Sequence, residues 1–224
     1  MMWCVGELTL QYRARMYELL DLYARPFNPR EPVVCIDEKS LQLLGHSRAP
    51  LPMSAGEPTK IDYEYVRGGT VNLFVAVEPQ AGHREVSVTS RRGKVDFVTF
   101  IASLLEGKYA TARRVHFVLD NLNTHFRKCF DEVLGHPATD KLLRRVQFHY
   151  TPKHASWLNM AEIEIGILNR QCLDRRLPDP ETLRREVAHW QRSRNGDGAS
   201  IEWTFTRQDA DRKMGNHYVP LFAC

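Results

Sequence analysis

Apolar and polar positions along the chain follow two periods. Leu8, Tyr12, Met16, Leu19, Leu20 and Tyr23 share one helical face, which predicts an amphipathic helix over 7–24. Pro26, Pro29 and Pro32 end it and extend the chain. Val33-Val34-Cys35-Ile36-Asp37 is a short apolar run closed by a carboxylate and reads as a buried strand. Residues 40–69, with Pro50, Pro52, Pro58 and several glycines, read mostly as loop. Strands are predicted over 70–77 and 85–89, joined by the hairpin connection Glu78-Pro79-Gln80-Ala81-Gly82. Val95, Val98, Ile101, Ala102 and Leu105 place a helix over 94–106, and Val115 to Leu119 is a fourth strand ending at Asp120. A helix follows over 123–134, with Phe126, Phe130, Val133 and Leu134 turned inward. Val146 to Tyr150 is a fifth strand, and Thr151-Pro152 leads to a helix from about Trp157 to Leu173, with another at 181–193. The order β-β-β-α-β-α-β-α predicts an α/β fold, a mixed five-stranded sheet flanked by helices.

Composition changes this picture little. The 224 residues are 43% hydrophobic and 26% charged, enough for a core within one generous domain. A net charge of +4 is compatible with a nucleic-acid partner without requiring one. The cysteines Cys4, Cys35, Cys129, Cys172 and Cys224 form no CxxC pair, which argues against a zinc ribbon or a disulfide framework. Glu7 and Gln11 interrupt any leader-like apolar run, and no stretch approaches the roughly 20 apolar residues of a membrane span. A cytoplasmic protein is expected. No GxxxxGK[ST] segment is present, which disfavours nucleotide hydrolysis.

The candidate chemistry lies in the carboxylates. Asp37 and Asp120 both follow apolar strands, where a carboxylate is costly to bury unless paired or metal-bound. An aspartate there is also a common turn starter. On the 157–173 helix, Trp157, Ala161, Ile165, Leu168 and Cys172 form the core stripe, with Glu162 on one flank and Glu164 on the other. Helical phase does not choose between the two glutamates. Three such carboxylates suit Mg2+ or Mn2+, hard cations that prefer oxygen donors. Two ions about 3.5–4 Å apart activate an attacking oxygen and stabilise the leaving one.

Three segments then resemble known motifs. Val33 to Ser40, with Asp37, resembles the first acidic motif of the bacterial insertion-sequence transposases in the mariner superfamily. His116-Phe117-Val118-Leu119-Asp120-Asn121-Leu122-Asn123-Thr124-His125 resembles their second, and Tyr150 to Glu162, with Trp157-Leu158-Asn159-Met160-Ala161-Glu162, their third. The resemblance runs from about residue 8 to residue 210 and includes Arg194-Asn195 and Trp203-Thr204-Phe205-Thr206. It implies an RNase H-like fold and two-metal cleavage and joining of DNA by a DDE transposase through Asp37, Asp120 and Glu162. The register of the third motif selects Glu162 over Glu164. The expected layout is an N-terminal helix and linker over 1–30, a catalytic domain over 31–195 and a C-terminal extension over 196–224.

Supporting residues are expected around this centre. Asn121 and His125 are candidates to orient a metal water or touch a phosphate, although an Asn there equally caps a helix. Lys39, Lys153, His154, Arg175 and Arg176 are candidate DNA contacts, set against the plain reading of solvated surface charge. Trp157 is expected in the core. Glu38 is expected on the sheet face opposite Asp37. The partners implied are transposon ends, target DNA and a second copy of the chain, with association to the bacterial nucleoid when bound to DNA. Relatives carry an N-terminal helix-turn-helix module for which Met1 to Gly6 leaves no room, so a separate module is expected. The competing readings are another RNase H-like nuclease and a catalytically silent DNA-binding remnant.

Overall fold

A computed structural model describes residues 8–120 and 127–219. Helix α1 (Leu10–Tyr23) starts where the Thr9 hydroxyl accepts the Tyr12 amide at 3.1 Å. Three strands follow, β1 (Val33–His46), β2 (Tyr65–Glu78) and β3 (His83–Thr89), then α2 (Lys94–Glu106) and β4 (Val115–Leu119). Next come α3 (Arg127–Leu134), α4 (His136–Leu143) and β5 (Val146–Tyr150). A 3-10 turn (Ser156–Leu158) leads into α5 (Ala161–Leu168), which widens into a π turn (Asn169–Leu173). Helix α6 (Pro180–Gly196) begins at Asp179, whose carboxylate accepts the Thr182 amide at 2.8 Å, and α7 (Arg207–Met214) is held by a Thr206–Asp209 capping box.

The five strands lie in the order β3-β2-β1-β4-β5. The pairs β1–β2 and β2–β3 are antiparallel, and β1–β4 and β4–β5 are parallel. Alternation along the strands splits the core. On one face Val34, Ile36, Phe74, Phe117 and Leu119 pack under Phe97, Val98 and Ile101 of α2 and Phe130 of α3. Burying each such aromatic stabilises the fold by about 2–3 kcal/mol. On the other face Cys35 and Val118 meet Met16 and Leu19 of α1 and Ala161 of α5. Beside them Leu73 and Val75 meet Ile165 and Leu168 of α5 and Leu183, Val187 and Trp190 of α6. Helix α6 also closes the outer edge of β3: Gln191 Oε1 accepts the Val86 amide at 2.8 Å and Asn195 Oδ1 the Arg84 amide at 2.9 Å. No helix among the described residues is long and apolar enough to cross a membrane.

Several expected boundaries move. β1 does not stop at Asp37 but runs on to His46, and β2 starts at Tyr65, so the loop spans only 47–64. Of the glycines that suggested a loop, Gly45, Gly68 and Gly69 belong to a bulged strand pair and Gly56 to the loop: the β1–β2 register slips by one between Gln42 and Leu44, with the extra residue on β2. Gly68 sits there because a Cβ on it would lie 2.2 Å from the Pro178 carbonyl oxygen. The expected helix over 123–134 is described from Arg127; Phe126 lies outside the described residues, and Leu134 is exposed rather than inward. Helix α4 was not predicted; its Pro137 lies in the first turn, where the missing amide costs nothing. The helix expected from Trp157 begins instead at Ala161.

Candidate metal-binding active site

The site forms where the sheet steps down. β1 and β4 run parallel with Val33 beside His116, Val34 beside Phe117 and Cys35 beside Val118. β4 ends at Leu119 while β1 continues. Two residues further along each strand, the same register sets Asp37 beside Asp120, on the face that carries Cys35, Val118 and α5. Across β1, Asp37 pairs with Val75 of β2, which packs against α5.

Glu162 comes in from the first turn of α5 and is exposed. Buried Asn159 docks this turn onto β1: its Nδ2 donates to the Ile36 carbonyl at 2.8 Å and its Oδ1 accepts the Ala161 amide at 3.2 Å. The Tyr23 hydroxyl donates to the Leu158 carbonyl at 2.7 Å and ties the same segment to α1.

The electrostatics of Asp37 register the charges of the other two acids. The Asp37 carboxyl is pushed up to about 7, first by burial and then by the charges of Glu162, Asp120 and Glu38, against a 2.7 Å bond from the Glu38 amide to Asp37 Oδ1. Glu162 and Asp120 therefore lie close enough to Asp37 to repel it. Among the described residues no group of three or more His, Cys, Asp or Glu is placed so that it could hold a metal ion. An all-oxygen donor set whose members repel one another fits a hard divalent cation, which would remove the repulsion.

Glu164 has the opposite surroundings. It is fully buried; Arg84 Nε stands 2.9 Å from Oε1, and Arg194 donates to both carboxylate oxygens at 3.2 Å. A carboxylate held in this way is not available to a metal.

The remaining candidates separate. Lys39 lies on β1 on the same face as Asp37 and is half-buried. Lys153 and His154 are exposed on the loop before the 3-10 turn, His154 with a left-handed φ of 62°. Glu38 lies on the opposite face, 3.9 Å from Arg92. Arg175 and Arg176 are not brought to the carboxylates. They flank the place where the Leu44 amide meets the Leu177 carbonyl, far along β1. Arg175 binds Glu186 at 2.5 Å, and Arg176 donates to the carbonyls of Asp62, Tyr63 and Glu64, so both serve the fold there. Asn121 and His125 lie outside the described residues.

Trp157 is not a core residue: it is 42% exposed, stacked on Trp203 at 6.3 Å and edge-on to Phe205 at 5.6 Å. It leaves the apolar stripe because the chain at 156–158 is a 3-10 turn, which gives it a different phase from α5. Arg84 was not foreseen at all. It stands at the edge of the apolar run of β3, and nothing in the local pattern marks a fully buried arginine.

Known structures share this fold. The Mos1 mariner paired-end complex with Mn is 15% identical, with a TM-score of 0.55 over 89% of this chain and 61% of that one. The Mos1 strand transfer complex is 14% identical, with a TM-score of 0.56 over 89% and 60%. The mariner Mos1 paired-end complex with Mg is 16% identical, with a TM-score of 0.55 over 98% and 67%. At these identities the likeness establishes the RNase H-like α/β fold, and the chain spans about three fifths of the first of these structures. No curated protein sequence matches the chain. The sequence profile of the DDE superfamily endonucleases matches residues 32–184, from the start of β1 into α6 and through all three acids, and the chain belongs to that family.

Proposed function

We propose that the chain is the catalytic domain of a DNA transposase of the bacterial insertion-sequence branch, cutting DNA at transposon ends and joining it to a target. The observation that carries this reading is the raised Asp37 carboxyl with Asp120 and Glu162 beside it, on a family frame that includes all three.

Asp37, Asp120 and Glu162 would hold Mg2+ or Mn2+, as two ions. When bound, such ions supply charge neutralisation at the scissile phosphodiester and activation of the attacking oxygen for in-line displacement. Asp37 is rigid, fixed within a paired strand and by its bond to the Glu38 amide. Glu162 is delivered by a helix turn pinned through Asn159. Exposed Lys153 and His154 stand where a phosphate backbone would approach, and half-buried Lys39 adds positive charge on the same face. The partners would be transposon-end and target DNA, a second copy of the chain, and a helix-turn-helix module that reads the ends, with the nucleoid as the place of action.

A plasmid-nicking assay with Mg2+ or Mn2+ tests the reading. The chain is expected to nick, and Asp120→Asn and Glu162→Gln are expected not to. Equal activity in all three proteins would sink the assignment.

A further inference from the structure

Glu164 centres a buried ionic cluster that the metal chemistry does not use. Glu164 and Arg84 are both fully buried, their charged atoms 2.9 Å apart. Arg84 donates through Nη1 to the carbonyls of Gly82 and Arg194 at 2.8 and 2.9 Å and through Nη2 to that of Ala199 at 2.6 Å. Arg194 holds both Glu164 oxygens, and Asn195 Nδ2 donates to the Arg84 carbonyl at 2.9 Å. One carboxylate and two guanidiniums thus join β3, α5, α6 and the turn after α6.

Stability is a poor reason for such a cluster. Taking these charges out of water is costly, and well-packed apolar side chains of similar volume often stabilise a fold as well or better. What apolar packing lacks is direction. The Arg194 fork, donating through Nε and Nη2 to the two Glu164 oxygens, fixes the carboxylate in place and in orientation, and Arg84, held by its bonds to three carbonyls, sets a charge 2.9 Å from Oε1. The apolar contacts of Ala161, Ile165 and Leu168 would tolerate a rotation or slide of α5 that this ion pairing forbids. Glu164 stands two residues from Glu162 on the same short helix, so fixing one sets the bearing of the other.

We propose that Arg84, Glu164 and Arg194 act as a positioning clamp, setting the rotation of α5 so that Glu162 faces Asp37 and Asp120. The proposal rests on the reading of Glu162 as a metal ligand. These are positioning residues, since they act only through Glu162.

The test is Mn2+ binding by the full chain, followed by electron paramagnetic resonance titration alongside thermal melting. The double variant Arg84→Met with Glu164→Leu replaces the buried pair with apolar groups and leaves the partly exposed Arg194 free to turn to solvent. It is expected to fold with a lowered melting temperature, since Arg84→Met also leaves the Gly82, Arg194 and Ala199 carbonyls without their donor, and, titrated well below that melt, to bind Mn2+ about tenfold more weakly or worse, the scale for removing groups that orient metal ligands. Arg194→Gln keeps the Arg84–Glu164 pair and is expected to weaken binding by a smaller factor; it decides the matter if the double variant does not fold. Wild-type Mn2+ affinity in the folded double variant, or in Arg194→Gln when the double variant is unfolded, overturns the clamp. Glu162→Gln separates the two claims. Undiminished binding in that control removes the metal-ligand reading and the clamp with it. Weakened binding there, but not in the clamp variants, removes the clamp alone.

Discussion

Glu162 and Glu164 share the first turn of α5 and meet opposite surroundings, Glu162 exposed beside Asp37 and Glu164 sealed between Arg84 and Arg194. Two neighbouring acids of one residue type are thus expected to fail in different ways. Glu162→Gln should leave urea denaturation almost unchanged and cut nicking by about two orders of magnitude or more, the cost of losing one charge-stabilising group in a catalytic centre. Glu164→Ala leaves the buried Arg84 guanidinium uncompensated and should cost about 3–5 kcal/mol in the same denaturation experiment.

Asp37 sets a pH dependence with a definite sign. Its carboxyl rises from the ordinary 3.8 to about 7 in the fold, so the folded chain holds a proton that the unfolded chain has released. Its contribution is fully present below about 3.8, is withdrawn as pH climbs toward 7, and stays withdrawn above that. Without divalent metal, wild type should therefore lose stability relative to Asp37→Asn as pH rises from 5 to 8. Mg2+ should stabilise wild type more at pH 8 than at pH 6, since the proton and the cation compete for the same oxygens. Thermal melts of both proteins across that range, with and without Mg2+, check the point. A wild-type curve parallel to that of the Asn variant would contradict it.

Asn159 links the start of α5 to the strand of Asp37. Replacing it with Ala strands the buried Ile36 carbonyl and the Ala161 amide. The expected loss is roughly 1–3 kcal/mol on denaturation. Nicking should fall further than that loss explains when measured well below the melting temperature, because the helix turn that carries Glu162 is then free to drift.

Much of the arrangement was legible in the chain. The strands ending at Leu119 and Tyr150 and the helix over 94–106 showed their full length, because apolar spacing there is clean and each faces a continuous core. The place of Asp120 followed from a strand end, whereas Asp37, read as a strand end as well, lies inside β1. The reach of β1 to His46 was hidden because a bulged, glycine-bearing ribbon looks like a loop when read locally. The choice of Glu162 over Glu164 was invisible to helical phase, since what separates them is a pair of arginines from β3 and α6. Trp157 was misplaced because a 3-10 turn, not a longer helix, precedes α5.

Gly82 is a tight point in the frame behind the clamp. It has a φ of +62°, and a Cβ there would stand 2.5 Å from the Gly198 carbonyl oxygen. Gly82→Ala should destabilise the chain by about 1–3 kcal/mol through backbone strain and that clash together, read as a lowered urea midpoint at an unchanged slope. A neutral effect would mean that the turn after α6 yields.

Outer strands are places where one protein can recruit another, because their unused main-chain amides invite a further strand to add. Gln191 and Asn195 already occupy the amides of Val86 and Arg84, so that flank of the sheet is shut to such growth. The same helix thereby guards the molecule against fibre-like self-association, and peeling α6 away would expose a sticky border as well as take Arg194 from Glu164.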